Sequence, residues 1–331
     1  MKALRLHAPG DLRLHEEPVP KCRKGEVLLR VRAVGLCGSD RHWFVEGTTG
    51  GVEFTRPIVL GHEILATIES GPNAGQRVAV EPAVPCGICV VCARGDLHLC
   101  PFGAFAGYEG TDGGLRTFMT WPAALCEPVP STLSDDDAVL LEPLGVALHA
   151  LDLGHVSWES FTGVVGCGPI GLLLVELLVR AGAARVAVAD PLPHRLDAAL
   201  ALHPHVVPLA EVPESELDVV FEVAGSDDAL NTALVGVRPG GRIVLIGIPS
   251  DDRTGFRASL ARRKGVTIAL SRRMRADALA RAARLAGTGS LRLGHLVSER
   301  YALEDAADAF TSLAAYRGIK IIVQLDGGES Q

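Results

Sequence analysis

The stretch FTGVVGCGPIGLLLVELLVRAGAARVAVAD, residues 161–190, admits few folds. A β-rich run, Phe161–Val165, enters Gly166-x-Gly168-x-x-Gly171, with Pro169 and Ile170 between the last two glycines. An apolar helical pattern follows to Arg180, and a second strand, Val186–Ala189, ends in Asp190. A bare glycine repeat says little. A strand before it, a helix after it and an acid 19 residues past the last glycine together make a dinucleotide-binding fingerprint. The glycines allow a tight turn and let backbone approach a pyrophosphate. The helix N-terminus offers unpaired N–H groups and the positive end of its dipole. Asp190 suits the adenosine ribose hydroxyls and repels a 2′-phosphate, which favours NAD over NADP. Arg195, five residues on, pulls the other way.

Strand and helix signals go on alternating. DVVFEVAG (218–225), PGGRIVLIG (239–247) and GVTIAL (265–270) read as strands; DDALNTALVGV and ADALARAARLAG (276–287) read as helices. This pattern predicts an α/β fold with a doubly wound parallel sheet. The first third differs: short runs such as EVLLRVRAVG and QRVAVEPAV sit between Gly/Pro turns and predict a mainly antiparallel β domain. The tail RYALEDAADAFTSLAAYRGIKIIVQL reads as a helix and then a strand. At 331 residues and 48% hydrophobic, the chain can bury two cores. Its net charge of −7 argues against nucleic acid or an anionic membrane as partner. No signal peptide or membrane span is visible, so a reducing, cytoplasmic setting is expected.

In that setting clustered cysteines point to metal. Four of the eight fall in CGICVVCARGDLHLC: Cys86, Cys89, Cys92 and Cys100. Two-residue spacers let successive thiolates turn toward one ion, and four sulfurs fill the shell of a tetrahedral zinc. A zinc so enclosed is structural. A second set is dispersed: Cys37 in VGLCGSDRHW, His62 and Glu63 in VLGHEI, Glu142 in LLEPLGVALHA. A thiolate, an imidazole and a carboxylate with one exchangeable position describe a catalytic zinc.

Taken together, CGSDRHW, GHE, the four-cysteine lobe, EPLGVALHA, GCGPIG, PGGRIVLIG and RGIKIIV resemble the zinc-dependent medium-chain dehydrogenases, closest to the polyol branch. The resemblance implies a GroES-like catalytic domain from residues 1–145 and 288–331 and a Rossmann domain from 146–287. It implies an active site in the cleft between them, with one catalytic and one structural zinc. Cys37, His62 and either Glu63 or Glu142 would hold the first; Cys86, Cys89, Cys92 and Cys100 would hold the second. Ser39 would touch the substrate hydroxyl, and His42 would end a proton relay. Gly166, Gly168, Pro169, Ile170, Gly171, Asp190 and Arg195 would bind NAD. Relatives form dimers or tetramers, so a homo-oligomer is expected.

The expected reaction is oxidation of a secondary alcohol of a polyol, sugar, cyclitol or hydroxy-amino acid to a ketone, with hydride transfer to NAD. The alternative is a biosynthetic dehydrogenase or ketoreductase acting on an amino-cyclitol or another secondary-metabolite precursor. A nucleotide-binding protein without activity is disfavoured, because Cys37, His62, Glu63 and Glu142 are all present.

Overall fold

The computed structural model describes residues 1–49, 51–71, 73–250 and 253–325. The chain divides into two units: Met1–Glu142 joined by the chain from Arg275 onward, and Pro143–Met274.

The second unit is built on six parallel strands. In spatial order they are Val206–Pro208, Arg185–Ala189, Phe161–Val165, Leu217–Glu222, Val237–Leu245 and Thr267–Leu270. In chain order this is 3-2-1-4-5-6, the doubly wound arrangement whose ligand crevice opens where the order reverses. Val164, Val186, Val188, Val220, Phe221, Ile243 and Val244 are at most 1% exposed. Strands covered on both faces read as continuous apolar runs, as these do. The helix Pro169–Arg180 is likewise apolar over most of its surface, with Leu172, Leu173, Leu174 and Val175 fully buried. Pro169 opens that helix, where its missing N–H costs nothing.

The first unit is antiparallel in all but one of its main pairings. Its central strand, Glu26–Gly35, pairs with Glu63–Ile68 and, at different points along its length, with Phe118–Pro122 and Lys320–Gln324. Lys320–Gln324 also pairs in parallel with Val297–Ala302. The tail thus closes a sheet that began near the start of the chain, in the register Ile322↔Gly35 and Val323↔Val34. Leu29, Val31, Val34, Ile64, Ala66, Val78, Met119 and Phe310 form its core.

The helix Ala278–Gly287 groups with the first unit, and the two units part after Glu142 and after Met274. A Cβ on Gly287 would meet Pro130 at 2.9 Å, and the Thr132 hydroxyl donates to the Gly287 carbonyl at 3.3 Å. Its alanine and leucine face is buried, as the periodicity implies. Periodicity shows which face is covered but not by which sheet.

Candidate active site

The cysteine lobe hangs on short pieces: a helix at Val90–Ala93 and a 3₁₀ turn at Leu97–Leu99. Gly87 and Gly95 take φ of +74° and +86°, which a side chain would strain. The sulfurs of Cys86, Cys89, Cys92 and Cys100 all lie within 4.8 Å of one another. The pairs Cys86–Cys92 and Cys89–Cys100 are each 3.9 Å apart, and all eight cysteines of the chain are free thiols. A tetrahedral ion about 2.3 Å from each sulfur would space the sulfurs about 3.8 Å apart. The N–H groups of Cys86 and Cys92 donate to the sulfurs of Cys100 and Cys89, at 3.3 and 3.5 Å. Such donors stabilise thiolate charge.

The dispersed set also converges. Cys37 is the N-cap of the helix Gly38–Glu46. His62 and Glu63 lie at the start of the strand Glu63–Ile68. Ligand atoms of Cys37, His62 and Glu63 fall within 4.8 Å of one another, and all three belong to the first unit. Asp40, 1% exposed, ties them together. One of its oxygens accepts the Cys37 N–H at 3.0 Å. The other accepts the Gly61 N–H at 3.2 Å and lies 3.8 Å from His62 Nδ1. Burial raises the Asp40 carboxyl, against the His62 charge and its N–H donors. Burial alone would lower His62; Asp40 and Cys37 outweigh it and raise the ring.

Behind Glu63 stands Lys320, itself 1% exposed. Its Nζ donates to Glu63 Oε1 and Oε2 at 2.7 and 2.6 Å and to the Leu36 carbonyl at 3.0 Å. Gly35 faces Glu63 across the strand pair, and a Cβ there would lie 2.1 Å from Glu63 Oε2. Glu142 is buried as the second residue of the helix Leu141–Gly154 but lies outside the close set of three. Burial pushes its carboxyl up to about 8; His62 opposes this, and Glu63 and Glu81 add to it. Ser39 and His42 are half-buried on the helix that Cys37 begins, one turn apart. His42 Nδ1 is 2.9 Å from Glu46 Oε2.

In the second unit, the glycine turn is packed too tightly for side chains. Gly166 has φ +101°, and a Cβ there would meet the Ala224 backbone nitrogen at 2.9 Å. A Cβ on Gly171 would lie 2.0 Å from the Gly166 carbonyl oxygen. Gly168 caps the helix that begins at Pro169 and Ile170, and its missing Cβ faces Arg195 Nη1 at 3.6 Å. Asp190 accepts the Cys167 N–H at 2.7 Å through Oδ2 and the Leu192 N–H at 2.8 Å through Oδ1. Each oxygen keeps a lone pair for a further donor.

Residues 23–131 match the family model of the alcohol dehydrogenase GroES-like domain, and residues 169–287 match that of zinc-binding dehydrogenases. Sorbitol dehydrogenase of Bacillus subtilis is 31% identical, over 98% of this chain and 97% of its own. The chain belongs to the zinc-binding alcohol dehydrogenase family. Solved structures agree. L-idonate 5-dehydrogenase from Escherichia coli superposes with a TM-score of 0.90 at 25% identity, over 98% of both chains. A short chain alcohol dehydrogenase from E. coli CFT073, complexed with cofactor NADH, gives 0.88 at 26% identity, over 98% of this chain and 99% of that one.

As a zinc-binding alcohol dehydrogenase, this chain is an oxidoreductase acting on CH–OH groups. Its four-cysteine cluster and its Cys37–His62–Glu63 group fit a structural and a catalytic zinc. Among the described residues, no helix of this dehydrogenase is long and apolar enough to cross a membrane. Three residues of the first unit go unmarked in the sequence reading: Asp40, Lys320 and Gly35. Asp40 sits inside CGSD and Lys320 inside RGIKIIV, and no neighbouring residue in either motif marks the charge as buried.

Proposed function

We propose that this dehydrogenase oxidises a secondary alcohol of a polyol or sugar acid to the ketone, passing the hydride to NAD. The convergence of Cys37, His62 and Glu63 within 4.8 Å carries the reading. The substrate class draws on the sorbitol and L-idonate dehydrogenases to which the chain is similar. Cys37, His62 and Glu63 would hold the catalytic zinc, and Glu142 would be a carboxylate able to take the place of Glu63. A zinc so held lowers the pKa of an oxygen bound to it.

The protein's own groups do the rest. Asp40 faces His62 Nδ1, which leaves Nε2 as the nitrogen available to a metal. Lys320 balances the Glu63 charge inside the core. Ser39 takes the hydrogen bond of the substrate hydroxyl, and the proton leaves outward by way of His42. In total one hydride and one proton leave the CH–OH group, yielding C=O, NADH and H⁺. In the second unit, the turn Gly166–Gly171 takes the pyrophosphate at the helix N-terminus. Asp190 takes the adenosine ribose, and Arg195 lies over the turn at Gly168.

A reducing, cytoplasmic setting belongs to this reading, supported by four cysteines clustered as metal ligands. A homo-oligomer is part of the same reading. The 91% exposure of Ile88 and 76% of Phe102 on the cysteine lobe supports it, and light scattering tests it. For the activity, the test is NAD-linked turnover across polyols, sugar acids, cyclitols and amino alcohols. A polyol or sugar acid is expected to be the best substrate. A preference for amino-cyclitols or threonine would refute the substrate class.

A further inference from the structure

We infer that Glu46 is a positioning residue that keeps His42 in the tautomer able to accept a proton at Nε2. The inference rests on the proposed role of His42 as the outer end of the proton path. Both residues lie on the helix Gly38–Glu46, four positions apart, so their side chains share one face. His42 Nδ1 and Glu46 Oε2 are 2.9 Å apart, and the side chains are only 13% and 27% exposed. A carboxylate can only accept a hydrogen bond, so the proton of this contact sits on Nδ1. Nε2 is then left as the acceptor when the ring is neutral.

Arg41 Nη1 lies 3.4 Å from the other Glu46 oxygen, which anchors the carboxylate and offsets part of its charge. Arg41 is held in turn by the Ala314 carbonyl, 3.5 Å from its Nε, and by the ring of Tyr316, 4.5 Å from the guanidinium carbon. The packed helix Ala306–Ala314 carries Asp308, and Tyr316 and Arg317 follow just past its end. The strand Thr48–Thr49, also packed on the helix Gly38–Glu46, has no ionisable side chain. Arg41 and the end of the C-terminal helix thus fix Glu46, and Glu46 fixes His42.

The experiment compares the zinc-loaded, full-length protein with E46Q and H42N, using the best alcohol found in the screen. It reads kcat/KM against pH and the ¹⁵N shifts of the His42 ring. E46Q is expected to lower kcat/KM about threefold where His42 takes the proton, and Nδ1 should lose its exclusive hold on the proton. H42N is expected to remove the rising limb of the profile. If H42N changes the profile while E46Q leaves both the profile and the ring shifts as in the parent, the role of Glu46 is refuted and the proton path survives. If H42N also leaves the profile unmoved, the proton path itself is refuted and the role of Glu46 falls with it.

Discussion

Lys320 Nζ lies 2.6 and 2.7 Å from the two carboxylate oxygens of Glu63, a residue 257 positions away in the chain. Both side chains are 2% exposed, so neither charge can turn to water. The strand that carries Lys320 is the last in the described chain, and it enters the sheet beside Glu26–Gly35. The tail therefore supplies the counter-charge for a carboxylate set beside Cys37 and His62. Removing one partner of a buried ion pair costs about 3–5 kcal/mol, since the other is left uncompensated. K320M is expected to destabilise the protein by that order in urea denaturation. K320M/E63M, which strands no charge, should be more stable than K320M alone. A double variant at least as unstable as the single one would show that the pair is not a unit.

Gly35 makes room for that carboxylate. The Cβ of G35A would fall 2.1 Å from Glu63 Oε2, and something must move. The expected outcome is a chain with its second zinc intact and its Glu63 displaced: metal analysis near one zinc per chain, and turnover down at least tenfold. Full metal content and full activity would contradict this packing.

Asp190 serves two duties in the structure. It accepts the Cys167 and Leu192 N–H groups, and it is the acid proposed to face the adenosine ribose. D190A is expected to weaken NAD at least tenfold in Kd and NADP much less, because the acid also repels a 2′-phosphate. Titration of both nucleotides by fluorescence checks this. An equal loss for both would assign Asp190 to the loop alone.

Acid sensitivity has a local source. Burial alone would raise the Asp112 carboxyl. Arg5, the Val59 N–H and Arg116 outweigh it and hold the group below its usual range. Arg5 holds Glu17 low as well, and its guanidinium binds both carboxylates. A carboxylate with a depressed pKa in the folded state adds stability above its unfolded pKa and loses it as pH falls through the folded one. Stability should therefore drop as pH falls below the ordinary carboxylate values of 3.8 and 4.5. R5M should lower stability at pH 6 and flatten the decline between pH 5 and 3, as followed by urea denaturation (both ranges approximate, about one unit either way). Parallel curves for parent and R5M would contradict the assignment.

The sequence reveals the second unit more fully than the first. Its signals are local: a glycine turn whose geometry excludes side chains, and apolar runs whose length separates strand from helix. The strand expected at Val186–Ala189 begins one residue earlier, at Arg185, because an edge residue with its side chain in water carries no apolar signal. The first unit depends on pairings between distant segments. Nothing near Lys320 in the chain shows that its charge is buried, since the partner that allows it is Glu63. The helix Ala278–Gly287 shows the same limit, for its apolar face is legible and the surface it packs on is not. In the site, Cys37, His62 and Glu63 stand out by residue type. Asp40, which links them, is hidden among ordinary helix-start acids.

The central claim is a catalytic zinc held by Cys37 and His62, separate from the four-cysteine lobe. Zinc content and NAD-linked turnover of C37S, measured on one preparation beside the parent, test it most directly. The parent is expected to carry two zinc ions per chain and C37S one, with turnover reduced at least a thousandfold and the fold unchanged (about 4 kcal/mol in the barrier). Equal zinc content in the two proteins, or a C37S enzyme that turns over like the parent, would contradict it.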